Sequence, residues 1–392
     1  MKKLFYVFVS LSLLLTACTP AAPGTVMAPA PTEIPVASAT PLPPTVTPSP
    51  QPSPTPLYPS EGYGPSNFPS NVNPLTGLQV ADPTLLNRRP VLVKVSNLPR
   101  YVRPQWGLSL ADIVFEYYIE EGTTRFAAIF YGKDAEMVGP IRSGRLFDAY
   151  VVRGYKAIFV FGGAYVVEMD KYERSDFSNR LITQITQNTP LYRYDPNGYD
   201  HLMGNTADLT AFASSKGIEN GRQNLDGMSF KLESPAGGQP GMQVIVRYSG
   251  SIYNRWDFDT STGKYLRFSD TLDDFDINNE QYAQLTDRLT NQPIAFDNMV
   301  VLYVTQEVYF TDSKGNKIYD ILFNGSGDGY AFRDGQAYQV KWHRNDTDVV
   351  SLTNLDGTPF PFKPGTTWFE VVGVSSTVQH TDQGWRFQHI MP

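Results

Sequence analysis

Cysteine is almost missing from this sequence. Its 392 residues hold one, Cys18, so the body of the chain has no disulfide, no cysteine-based metal site and no cysteine nucleophile. Histidine is scarce as well. His201, His343, His380 and His389 show no metal-ligand spacing, and none falls at the HExxH spacing of a zinc hydrolase. Phosphate-loop signatures are missing too: neither GxGxxG nor a Gly-Lys-Ser/Thr is present, and Gly162-Gly163 reads as a tight turn. Ser143 has no GxSxG context. No apolar run reaches the roughly 20 residues that span a bilayer. Excess positive charge is missing: the formal net charge is -7, which disfavours nonspecific contact with nucleic acid. No cofactor, no metal and no nucleic-acid partner are expected.

What is present begins with a targeting signal. Lys2 and Lys3 precede the apolar stretch Leu4 to Leu15, and Leu15-Thr16-Ala17-Cys18 follows. This order resembles a bacterial lipoprotein signal, in which the cysteine thiol accepts a diacylglycerol and the cysteine becomes the first residue. Residues 1–17 are read as the signal peptide and Cys18 as the lipidated residue. Palmitate-type acylation of Cys18 would hold the protein on the extracytoplasmic face of the cell membrane. From Thr19 to Ser60, 14 of 42 residues are proline and only Glu33 is charged. Such a stretch cannot bury a core and favours extended polyproline-like states. At full extension it reaches on the order of 130 Å. Residues 18–72 are therefore read as a disordered stalk.

Beyond the stalk the sequence changes character. Aromatic residues make up 13% of the chain, with 23 Tyr and 23 Phe, a composition suited to half-buried pleated surfaces. Strand-like runs occur at Val91–Val95, Ile113–Ile119, Phe126–Tyr131 and Ile158–Phe161, and helical spacing at 145–156, 165–172 and 207–216. Residues 217–241 are rich in Gly, Asn, Ser and Pro and mark a boundary. After it come short strands, including a hairpin around Asp334-Gly335, with Trp368–Val372 as the last. The expected fold class is α+β: a mixed α/β domain over 73–220, then a β-rich domain over 240–378, and a tail over 379–392 with no clear pattern.

The densest chemistry lies between Ala111 and Asp148. Val138-Gly139-Pro140-Ile141-Arg142-Ser143-Gly144-Arg145 is stiff, glycine-punctuated and doubly cationic. Guanidiniums offer forked donors for carboxylate or phosphate, and Ser143 and Gly144 add a hydroxyl and a close-approach backbone. The candidate ligand-binding residues are Arg142, Ser143, Gly144, Arg145, Asp112, Glu116 and Arg125. Two readings stay open: the arginines meet a ligand, or they pair internally with Asp112, Glu116 or Asp148. Asp112, Glu116 and Glu120 share strand parity, a spacing compatible with paired carboxylates in glycan cleavage. The oxygen-rich run from Asp270 to Glu280 starts like a calcium loop but lacks the glycine and the bidentate glutamate at the required positions. It reads as an acidic surface loop.

The chain resembles the YerB-like bacterial lipoproteins, whose two parts are both known only as domains of unknown function. The matching residues are Asn73-Pro74-Leu75-Thr76-Gly77, Arg89-Pro90, Val93-Lys94-Val95-Ser96-Asn97, Ala111-Asp112-Ile113-Val114-Phe115-Glu116, Thr123-Thr124-Arg125 and Val138 to Arg145. In the second part they are Tyr265, Arg267, Asn298-Met299-Val300-Val301, Asp334-Gly335, Trp342 and Pro364 to Trp368. A histidine expected before the Asn298 strand is missing. The resemblance implies an anchored extracytoplasmic protein and supplies no catalytic residue. The chain is read as a binding or accessory protein of the cell envelope, with an envelope protein or glycan as its partner. A cell-wall or glycan hydrolase, using Asp112/Glu116 or Ser143, is the alternative.

Overall fold

The computed structural model describes residues 58–391, except 197, 199 and 383. The signal segment, Cys18 and the stalk as far as residue 57 lie outside the described residues. Strands of three or more residues are β1 (Val91–Ser96), β2 (Ile113–Tyr118), β3 (Thr124–Phe130), β4 (Ile158–Phe161) and β5 (Leu181–Thr183) in the first half. Helices α1 (Leu146–Tyr155), α2 (Val166–Glu173) and α3 (Thr206–Ser215) are interspersed. The second half gives β6 (Gln243–Arg247), β7 (Tyr253–Asp259), β8 (Lys264–Asp270), β9 (Tyr282–Gln284), β10 (Asn298–Val304), β11 (Gln306–Thr311) and β12 (Lys317–Ile321). It ends with β13 (Gly325–Arg333), β14 (Gln336–Arg344), β15 (Ser351–Thr353), β16 (Thr367–Gly373), β17 (Thr377–Thr381) and β18 (Gly384–Gln388).

The central sheet has eleven strands, in the order β15-β14-β13-β10-β16-β2-β3-β1-β4-β5, with Gln239–Pro240 added beside β14. Its seam joins the two halves of the sequence. β16 lies between β10 and β2 and runs parallel to both, so Thr367 is in register with Asn298 on one side and Ile113 on the other. A second, seven-stranded sheet, with the path β9-β8-β7-β6-β18-β17, covers one face of the first. α1 and the segment around Phe323 cover the other face.

Burial on both sides explains the strand sequences. β1 (VLVKVS) and β2 (IVFEYY) are buried at every position, as expected for a sheet with no solvent face. On the α1 side Phe115 stacks on Phe369 at 4.7 Å and meets Phe147 and Tyr155 edge-on. On the other side Trp368 packs between Phe126, Trp256 and Phe296 at 5.0 to 5.2 Å. Each such ring contributes on the order of 2 kcal/mol through burial. α1 starts where the Asp148 carboxylate accepts the Arg145 N–H at 2.7 Å and stops at Lys156, which is left-handed at φ 53°.

Three expectations need correction. The first half is β-rich and not clearly mixed α/β; its strands continue the sheet of the second half, and β16 is shared between them. The region after 378 is not a patternless tail: β18 pairs in parallel with β6, and its alternation buries Trp385 and Phe387. The stalk does not extend to 72. Tyr63 exchanges backbone hydrogen bonds with Phe230, Phe68 packs on Phe230 and Val72 is buried. Tyr58, Tyr63 and Phe68 supply apolar surface that the preceding Pro/Thr/Ser-rich stretch lacks.

Candidate functional site

β1 and β4 pair in parallel only as far as Val93 and Val160. Beyond that point the segment 138–145 wedges between their carboxyl ends. Arg142 N donates to Lys94 O and Gly162 N to Arg142 O, both at 2.9 Å; Ser96 N donates to Pro140 O at 2.9 Å. Gly144 N donates to Gly163 O at 2.8 Å. The carboxyl ends of parallel strands are where such sheets open crevices for ligands. The two glycines have separate reasons. Gly139 sits at φ 147°, where a side chain would strain the backbone, and a Cβ there would lie 2.8 Å from the Leu202 carbonyl oxygen. At Gly144 a Cβ would lie 2.8 Å from Tyr172 Oη and 3.1 Å from Phe159 Cζ.

This wedge brings Arg125, Arg142 and Arg145 together. Arg145 forks onto Glu120, its Nε donating to Oε2 at 2.7 Å and its Nη2 bonding Oε1. Burial opposes its charge, but the Glu120 hydrogen bonds and charge hold the guanidinium above its ordinary pKa. Arg142 pairs with Asp200, which also accepts from Tyr101 Oη. Arg125 donates to the Ser143 carbonyl oxygen at 2.8 Å, and no carboxylate among the described residues forms an ion pair with it. Burial, with Arg145 and Arg142 beside it, brings Arg125 down to about 10. Arg125, Arg142 and Arg100 face an open cleft of about 470 Å3 at the β2–β3 turn, with Glu120 and Thr124 on its wall.

The internal-pairing reading is therefore met for Arg142 and Arg145, with carboxylates other than those anticipated. Asp148 accepts the Arg145 backbone N–H, not its guanidinium. The other Asp148 oxygen binds Tyr117 Oη at 2.6 Å and Lys94 Nζ at 3.2 Å. Burial takes Lys94 down to about 7, against the pull of Asp148. A lysine in the middle of an apolar strand is the sequence signal for this network.

Neither Asp112 nor Glu116 lines the cleft, and they have different partners. Asp112 accepts from Tyr131 N at 2.7 Å, Gly132 N at 2.8 Å and Asn73 Nδ2 at 3.1 Å, and burial takes it up to about 6. Glu116 is closed between the two sheets. Its oxygens accept from Thr124 Oγ1 and Arg267 Nη2, each at 2.7 Å, and from Asn97 Nδ2 at 3.1 Å. Arg267 also donates to Glu370 at 3.1 Å, and its guanidinium lies over Trp368 at 4.6 Å and Trp256 at 5.2 Å. Ser143 contributes its carbonyl to the site. Asp274 and Glu280 of the acidic loop take Arg247, and Glu280 also takes Arg386. A larger cavity of about 750 Å3 beside His343 and Arg344 is polar and open, but Arg344 there donates to the carbonyls of Phe323, Tyr150 and Asp346.

The fold and cleft define a mostly β protein built from two sequence halves that share one sheet. Those halves match two consecutive family models: "Protein of unknown function (DUF3048) N-terminal domain" over residues 75–219 and its C-terminal counterpart over 244–369. The chain belongs to the YerB-like family. It is 29% identical over 304 residues to "Putative lipoprotein YerB" of Bacillus subtilis (strain 168), covering 76% of this chain and 85% of that protein. The crystal structure of Bacillus subtilis YerB superposes with a TM-score of 0.63 at 27% identity, over 77% of this chain and 96% of that one.

Proposed function

We propose that the chain is an extracytoplasmic lipoprotein, anchored through Cys18, that acts as a binding or accessory protein of the cell envelope. Its cleft at Arg125 takes an anionic group, carboxylate or phosphate, of an envelope glycan, peptide or protein. One observation carries this reading. Arg125 is held by a single backbone oxygen, while burial and the guanidiniums of Arg145 and Arg142 weigh against its charge and Glu120 offsets them only in part. An incoming anion relieves that repulsion, and a forked guanidinium binds oxyanions with two parallel hydrogen bonds. The lipoprotein signal and the name carried by the YerB relative support the anchoring. Asp112 and Glu116, the carboxylates a hydrolase would use, serve backbone N–H groups and Arg267 in the interior.

Retention of the full chain on purified cell-wall material tests the reading. Arg125→Ala should elute at lower salt than the unaltered protein. Equal retention of the two would remove the cleft from the account.

A further inference from the structure

The turn that walls the anion cleft also walls a second pocket on its other side. Glu120 and Glu121 line both. This second pocket measures about 210 Å3 and is closed by the N-terminus of α2 and by the β11–β12 hairpin. Its charge has the opposite sign from that expected beside three arginines. The carboxylates of Glu120, Glu121, Glu168 and Asp312 outnumber Arg145 and Lys317.

Glu168 is the unusual member. It is fully buried. Its Oε2 accepts the Tyr165 N–H at 3.0 Å. Its Oε1 has no hydrogen-bond partner and stands 3.6 Å from Arg145 Nε, whose proton goes to Glu120. A buried acceptor left open is costly unless something completes it. Tyr165, 45% exposed as a residue, stands on the rim.

We infer that this pocket binds an organic ammonium group, the amine of a diamino acid side chain or of an amino sugar. A substituted ammonium carries N–H donors for Glu120 and for the open oxygen of Glu168, and its charge suits a tyrosine face. Burial holds the Glu168 carboxyl up to about 7; a cation placed there draws it back to the ionised form.

The test uses the full chain in detergent, with isoleucine methyl groups isotope-labelled and Ile318, on the pocket wall, assigned through Ile318→Val. Titration with n-butylammonium chloride at constant ionic strength should shift the Ile318 methyl signal saturably. Glu168→Gln should weaken that affinity at least fivefold. If Glu168→Gln fails to fold, Tyr165→Ala on the exposed rim should weaken it at least threefold. No saturable shift, or affinity unchanged in a folded Glu168→Gln or Tyr165→Ala variant, overturns the inference. Loss of anion binding in Arg125→Ala reads only the neighbouring cleft, so the two outcomes are separable.

Discussion

Arg267 Nη2 donates to Glu116 Oε2 at 2.7 Å across the space between the two sheets. One residue comes from each half of the sequence, and both are all but inaccessible to water. Glu370, on the shared strand β16, completes the group through Arg267 Nη1. Buried charge is expensive unless paired, and here the pairing occurs only when the halves have joined.

Removing the cation alone should therefore be severe. Arg267→Ala leaves Glu116 unpaired in the interior and should cost about 3–5 kcal/mol in urea unfolding. Replacing Arg267, Glu116 and Glu370 together by apolar residues of similar volume should cost much less. A loss below about 1 kcal/mol for Arg267→Ala would mean that the pair is solvated in solution.

Proton count within this group gives a pH prediction. Tyr248 Oη lies 3.0 Å from the Glu116 carbonyl oxygen and 3.1 Å from Glu370 Oε2. A hydroxyl has one proton to give, so a protonated Glu370 donating to Tyr248 satisfies both contacts. Burial, followed by the charge of Glu116, raises Glu370 to about 8 from its ordinary 4.5, against the pull of Arg267. A carboxyl with a raised folded pKa binds more protons in the fold than when unfolded. Its contribution is complete below pH 4.5 and is lost as pH rises to 8. Glu370→Gln keeps a donor towards Tyr248 and cannot ionise. The stability difference between variant and wild type should move in favour of Gln across that window in paired urea titrations. A difference that does not change with pH would assign the proton elsewhere.

Close packing behind the cleft sets a third expectation. Gly144→Ala places a methyl 2.8 Å from Tyr172 Oη and 3.1 Å from Phe159 Cζ. Overpacking of this kind costs about 1–3 kcal/mol, read as a lower unfolding midpoint. Since Tyr172 Oη also donates to the Arg145 carbonyl at 2.5 Å, the substitution should also weaken anion binding.

Anchoring rests on one thiol. Cys18→Ala should move the protein from the membrane fraction to the soluble fraction or the medium and abolish incorporation of labelled palmitate. Continued membrane retention without label would point to another attachment.

Much of this was legible in the sequence, for reasons that differ by element. β1, β2, β4 and α1 were visible because β-branched runs and three-to-four spacing are local signals. Arg142 and Arg145 stood out because they share one polar, glycine-marked segment, whereas nothing local in Thr123-Thr124-Arg125 says that Arg125 meets them. The shared sheet was not visible, because nothing local in Trp368–Val372 says that its neighbour is Ile113–Tyr118. Nor could the carboxylate partners be assigned. Asp200 lies 58 positions from Arg142 and Glu120 lies 25 from Arg145, and such pairings depend on tertiary geometry. β18 was overlooked although Trp385 and Phe387 alternate with polar residues, since five positions of alternation carry little weight alone.

The most direct test of the anion cleft is the thermal unfolding of the full chain in increasing inorganic phosphate at constant ionic strength. A ligand at ten times its Kd stabilises the folded state by about 1.4 kcal/mol. The unaltered protein should show a saturable rise in its midpoint, acetate should give a smaller one, and Arg125→Ala should show none. An equal rise in Arg125→Ala, or no rise in the unaltered protein, would contradict the assignment of Arg125 as the anion contact.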